Sequence, residues 1–110
     1  MSMSLAEQIM NGMKGAFQSD KAAGVDAIVQ FVLTGDGGGE YYMTIKDGKL
    51  EVNQGKTESA KMTLTATAQD YADIATGKLN PMAAFSSGKL KVGGDMMFAM
   101  KFGTFFGRGT

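Results

Sequence analysis

Residues 40–52 read EYYMTIKDGKLEV. Tyr41, Met43 and Ile45 fall on one side of an extended chain, and Glu40, Tyr42, Thr44 and Lys46 on the other. Asp47-Gly48 suits the two central positions of a type I′ turn, where both residues need positive φ. Leu50 and Val52 then resume the inward alternation, with Lys49, Glu51 and Asn53 facing out. The stretch is a β-hairpin, and the chain on either side extends it. Upstream, AIVQFVLT (27–34) puts Val29, Phe31 and Leu33 on one face, and the glycine-rich GDGGGE (35–40) forms a loop. Downstream, past a turn near Gly55, KMTLTAT (61–67) points Met62, Leu64 and Ala66 inward. Four successive strands joined by short turns predict an antiparallel meander with one face on a core and one in water.

Helices must cover the apolar face. Ser4 and Glu7 form a capping box at the start of a helix over Ser4–Ser19, with Leu5, Ile9, Met13 and Phe17 as its stripe; a short helical turn is expected over Asp20–Gly24. Thr67 and Asp70 open a second helix, Ala68–Thr76, which Gly77 ends. Asn80-Pro81 starts a third, closed by Gly88. KLKV (89–92) predicts a fifth strand, Gly93-Gly94 a turn, and Asp95 the cap of a final helix that frays at Gly103, Gly107 and Gly109. Gly-Lys-Leu occurs at Gly48, Gly77 and Gly88, but the unequal spacing argues against a repeat; each glycine marks a turn or cap. The expected class is α+β, one domain over 1–110: a five-stranded, predominantly antiparallel sheet with helices packed on one face.

Composition excludes more than it identifies. The 110 residues carry eleven basic and eleven acidic side chains, without a basic block. That leaves nucleic-acid binding and a polybasic membrane anchor without electrostatic support. There is no Cys and no His, so thiol chemistry, disulfides, structural zinc and imidazole catalysis are excluded together. The first residues, MSMSLAEQIMNGMK, lack a signal-peptide pattern, and no run approaches the roughly 20 apolar residues that span a bilayer. The ending Arg108-Gly109-Thr110 is not a peroxisomal tripeptide. The expectation is a cytoplasmic protein.

The last helix is the unusual element. With Met96 at zero and about 100° per residue, Phe105, Phe98, Phe102, Phe106, Ala99, Met96 and Met100 fill a continuous arc of roughly 220°. Only Lys101 and Thr104 are polar, and they flank Met97. A surface helix needs an apolar stripe only somewhat wider than about 100°. The spare face is expected to meet a membrane, another subunit or an apolar ligand. Ten methionines in the chain suit an adaptable apolar surface.

No reaction chemistry emerges. A Walker loop needs a glycine five residues before Gly-Lys and Ser or Thr after it, but Ala72 and Ala83 stand upstream and Leu79 and Leu90 follow. Asp70 and Asp73 read as a helix cap and a solvated charge, and Tyr41, Tyr42 and Tyr71 as packing residues. No nucleophile–base pair, metal set or cofactor motif is present, and the chain is expected not to be an enzyme.

TGKLNPMAAFSSGKLKVGGDMMFAMKF, Thr76–Phe102, closely resembles the sterol carrier protein type 2 family of lipid-binding domains. The matching residues are Gly77-Lys78-Leu79, Asn80-Pro81, Phe85, Gly88-Lys89-Leu90-Lys91, Gly94 and Ala99-Met100-Lys101. AKMTLTATAQDYADIATG upstream also fits, and the hairpin Tyr42–Val52 more loosely; Tyr41-Tyr42 stands where many relatives carry Trp. The resemblance implies an apolar tunnel between sheet and helices that carries fatty acids, fatty acyl-CoA, phospholipids or sterols. It would be lined by Phe31, Leu33, Met43, Ile45 and Leu64 from the sheet, Ile74 from the middle helix, and Met82, Phe85, Met96, Met100, Phe102 and Phe105 from the later helices. The expected state is a monomer or weak dimer with transient membrane contact. The alternatives are a non-catalytic interaction module, whose last helix buries against a partner or second subunit, and a small domain that hands acyl chains to an enzyme.

Overall fold

The computed structural model describes residues 3–106. The elements run α1 (Leu5–Ala16), β1 (Ala27–Thr34), β2 (Gly39–Lys46), β3 (Lys49–Gln54), β4 (Met62–Thr67), α2 (Ala68–Ala75), α3 (Pro81–Ser86), β5 (Lys91–Gly94) and α4 (Met96–Phe102), with a 3-10 turn over Gly103–Phe105. The architecture is α+β, with one five-stranded, mostly antiparallel sheet. Val29, Phe31, Leu33, Met43, Ile45, Met62 and Leu64 form the buried face, as their alternation predicts.

Local signals determine most boundaries. The Ser4 hydroxyl accepts the Glu7 N–H at 3.1 Å, and the Glu7 carboxylate accepts the Ser4 N–H at 2.8 Å, completing the capping box. The β2–β3 turn has Asp47 at φ 55° and Gly48 at φ 73°, as the hairpin reading requires. Two of the Gly-Lys-Leu sequences prove to be one cap used twice. The N–H groups of Lys78 and Leu79 donate to the Asp73 carbonyl, and those of Lys89 and Leu90 to the Ala84 carbonyl. Gly77 and Gly88 hold the left-handed backbone this closure needs, at φ 84° and 83°.

The sheet order corrects the four-strand meander. The order is β3-β2-β1-β4-β5. β1, β2 and β3 do form the meander, but β4 lies parallel to β1, with Phe31 beside Leu64, instead of following β3. The chain between β3 and β4 must therefore pass two strands, about 14 Å at the usual interstrand spacing of about 4.8 Å. Gln30 fastens that crossing. Alternation places Gln30 on the polar face, yet it is only 5% exposed. Its Nε2 donates to the carbonyls of Tyr41 (3.0 Å) and Gly55 (3.1 Å), and its Oε1 accepts the Thr57 N–H at 2.7 Å. The crossing segment is held at its ends by the Gly55 N–H on Glu40 and the Lys61 N–H on Ile28, both at 2.8 Å.

Three further boundaries differ from the sequence expectation, each for a tertiary reason. β5 begins at Lys91, because Lys89 and Leu90 are still closing α3. Gly93 and Gly94 do not turn the chain; they pair with Thr63 and Met62. A Cβ on Gly94 would sit 2.5 Å from the Lys61 carbonyl oxygen, so this position needs glycine for close approach. α1 ends at Ala16 instead of Ser19, because Phe17 forms an extended bridge to Phe106 and the Gln18 N–H donates to the Phe105 carbonyl at 2.7 Å. The fraying read at Gly107 and Gly109 and the ending Arg108-Gly109-Thr110 lie outside the described residues.

Asp95 caps α4, accepting the Phe98 N–H at 3.0 Å, with the Lys61 ammonium 3.4 Å from its other oxygen. The Phe98 amide, and after it Lys61, hold the carboxyl below its ordinary 3.8, against partial burial that works the other way. A lowered native value means that the stabilisation is present above the unfolded-state value and is lost as pH falls through the native one. Asp95→Asn keeps a capping oxygen that does not titrate. Melting curves across the acid range are expected to show wild type above Asp95→Asn near neutrality, with the gap shrinking below about pH 4. Gln30→Leu removes a donor from the carbonyls of Phe31, Tyr41 and Gly55 and an acceptor from the Thr57 N–H. It is expected to destabilise by about 2–3 kcal/mol, a drop in Tm on the order of 10 °C by calorimetry.

Candidate functional site

The helical layer leaves a gap. α1 supplies Leu5, Ile9, Gly12, Met13 and Ala16 to one wall, and α2 supplies Tyr71, Ala72, Ile74 and Ala75 to the other. The α2–α3 link adds Leu79, the start of α3 adds Pro81, and Phe102, Gly103 and Phe106 stand at the far end. The resulting cavity is about 660 Å³, mostly apolar and open to solvent on one side. Among the described residues it is a groove rather than an enclosed tunnel.

The side chains at this site follow from their helices. The i, i+4 stripe of α1 presents Leu5, Ile9 and Met13 to the layer below, and their edges face the groove. Gly12 leaves open space within the wall: a Cβ there would meet nothing within 4 Å. Three polar side chains at the margin make hydrogen bonds within the fold. Gln8 Nε2 donates to the Met3 carbonyl at 3.1 Å, Thr76 Oγ1 donates to the Ala72 carbonyl at 2.9 Å, and Asn80 Oδ1 accepts the Met82 and Ala83 N–H groups at the start of α3. A guest would therefore be held by apolar burial, with orientation left to its own polar end.

Ring packing builds the groove's floor. Phe102 lies 5.1 Å from Phe106, 5.9 Å from Phe31, 6.2 Å from Phe105 and 6.3 Å from Phe98 between centroids. Phe31 also meets Tyr71 edge-on at 5.5 Å. Through these contacts the central strand supports two groove-lining rings, Tyr71 and Phe102.

The residues marked as lining by the resemblance separate into three groups. Ile74 and Phe102 line the groove. Phe31, Leu33, Met43, Ile45, Leu64 and Phe105 are buried in the core beneath it. Met82, Phe85, Met96 and Met100 are exposed and stand outside it, Met82 and Met100 at 72% and 77%. Met82 and Phe85 lie on α3; for Met96 and Met100 the reason is the length of α4. Seven residues and a 3-10 turn bury the aromatic half, Phe98, Phe102 and Phe105, and leave the methionine half outward. The α1 wall was visible in the sequence only as a packing stripe. Gly12 beside Ile9 and Met13 was the available signal, since a glycine within an apolar helix face leaves room.

Asp70 and Asp73 form no carboxylate pair: the Asp70 N–H donates to the Thr67 cap, and Asp73 accepts from Gln69 Nε2 at 3.1 Å. Among the described residues there is no group of three or more metal-binding side chains, and no helix is long and apolar enough to cross a membrane.

Comparison with known proteins agrees with this architecture. The profile of the SCP-2 sterol transfer family matches residues 6–107. Hydroxysteroid dehydrogenase-like protein 2 of Xenopus tropicalis is 40% identical over 75 residues, covering 67% of this chain and 18% of that protein. The chain spans about a fifth of the length of such curated relatives. The crystal structure of sterol carrier protein 2-like 2 from Aedes aegypti superposes with a TM-score of 0.75 at 24% identity, covering 91% of this chain and 94% of that one. The solution structure of palmitated SCP2L2 from Aedes aegypti gives 0.72 at 26% identity, covering 89% and 90%. The chain belongs to the SCP-2 sterol transfer family and carries its lipid-binding α+β domain.

Proposed function

We propose that the groove between α1 and α2 binds one lipid by its acyl chain and that the protein carries this lipid without a chemical step. The observation that carries the reading is a mostly apolar groove of about 660 Å³, at whose margin Gln8, Thr76 and Asn80 make hydrogen bonds within the fold. Its size lies in the range of ordinary small-molecule sites. The palmitated Aedes relative supports a fatty acyl chain as guest. Fatty acids, fatty acyl-CoA and phospholipids share that chain, and a sterol would use the same apolar walls. Ile9, Met13, Ile74, Leu79, Phe102 and Phe106 are the side chains proposed to grip it. Methionine's flexible thioether suits tails of different length and bend. The interaction-module reading has its own observation, the exposed methionine face of α4, which lies apart from the groove.

Gly12→Leu tests the reading. Open space surrounds the new Cβ, so the side chain projects into the groove without displacing a neighbour. Replacing a helix-interior glycine also removes a penalty of about 0.5–1 kcal/mol. The expected outcome is loss of palmitate uptake by at least about tenfold, with Tm unchanged or raised. Titration calorimetry with palmitate measures the first and thermal unfolding the second. Undiminished uptake by Gly12→Leu would overturn the groove as the site.

A further inference from the structure

We propose, resting on the groove as the lipid site, that the last turn of α1, residues 12–16, is a movable wall. It unwinds locally to admit a lipid and winds back beside it. Gly12, Met13 and Ala16 line the groove, so the conformation of this turn sets where the α1 wall stands. α1 is built unevenly. Residues 5–10 read LAEQIM, mostly good helix formers, and follow a closed capping box. Residues 11–16 read NGMKGA, in which Asn11, Gly12 and Gly15 are weak helix residues. Glycine in place of alanine inside a helix lowers the helical population about fivefold at each position.

Packing does not require these two glycines. Both sit inside the regular helix, unlike the left-handed Gly77 and Gly88. A Cβ built on either would meet nothing within 4 Å among the described residues. Neither a turn nor a close approach needs glycine here, and its effect is to weaken the helix. The end of the turn also differs from the ends of α2 and α3. Those helices close on a glycine that folds the following N–H groups back onto the helix. After α1 the chain leaves extended: Phe17 bridges Phe106, and the Gln18 N–H donates to the Phe105 carbonyl. The turn therefore lies between two fixed points. Met10, 2% exposed, is anchored in the core before it, and the Phe17 ring meets Phe106 after it, 5.9 Å between centroids. Gly12, Lys14 and Gly15 are exposed, so amides released there pass to water. Among residues 12–16 only Met13 is buried, and its flexible thioether can follow a guest as the wall moves.

Amide hydrogen exchange by NMR, paired with stopped-flow palmitate binding, tests the movable wall. In the ligand-free protein the amides of Met13, Lys14, Gly15 and Ala16 are expected to exchange at least about tenfold faster than those of Ile9 and Met10. Gly15→Ala changes an exposed residue outside the groove lining. It is expected to slow exchange in the last turn about fivefold, and to slow palmitate association and dissociation by the same factor with affinity unchanged. Lys14→Gly, also exposed and outside the lining, is expected to do the reverse: faster amide exchange in that turn and faster palmitate association and dissociation. Protection of residues 13–16 equal to that of Ile9 and Met10 would overturn the proposal. So would palmitate rates that stay at the wild-type value in both variants while uptake is normal, a result that leaves the groove standing as the site. A wild type that takes up no palmitate would remove the groove reading and the movable wall together.

Discussion

The packing of Phe102 against Phe31 joins the two ends of this fold. Phe31 lies on the central strand, with Tyr41 and Leu64 beside it on β2 and β4. Phe102 belongs to the last helix and meets three further rings, Phe98, Phe105 and Phe106. Phe106 in turn reaches Phe17, whose extended backbone ends α1. Aromatic pairs add about 0.5–1.5 kcal/mol each beyond the area they bury. The cluster therefore holds the chain's last described segment on the sheet and sets where α1 must stop. It also decides which side of α4 faces inward.

The groove is a consequence of that arrangement. α1 and α2 lie side by side, and Phe102 and Phe106 occupy the space beneath one end of the gap between them. Large rings fill the core to contact, whereas the walls above use leucine, isoleucine, methionine, alanine and glycine. The difference is physical: rings interlock through defined geometry, while small and flexible side chains leave adaptable space. Groove and core overlap at Ile9, Met13, Phe102 and Phe106, which line the one and belong to the other.

α4 serves two environments with one seven-residue helix. Its aromatic half carries the packing described above, and its methionine half faces out. The roughly 220° apolar arc is therefore divided between a packed aromatic face and an exposed one carrying Met96 and Met100. Lys101 lies just past the methionines on the wheel, and Asp95 anchors the helix start to Lys61 on the strand-crossing segment. The device that pins the crossing at its other end, Gln30, is likewise a polar side chain buried for geometric reasons.

Element types, the Asp47-Gly48 hairpin, the helix caps and the inward face of every strand were legible in the sequence, because each depends on neighbours within a few residues. The ordered match over Thr76–Phe102 was specific enough to indicate the family as well. Strand order was not legible: alternation says which face a strand buries, but it reads the same whether β4 lies beside β3 or beside β1. Gln30 looked solvent-facing because its partners, Gly55 and Thr57, come from a segment about 25 residues away in sequence. Of the groove's lining, the sequence reading named Ile74 and Phe102 and did not name the α1 wall. A helical wheel measures how wide an apolar arc is, but not which half another element will cover. That was decided only in the folded chain, where Phe31 captured Phe102 and turned the methionines outward.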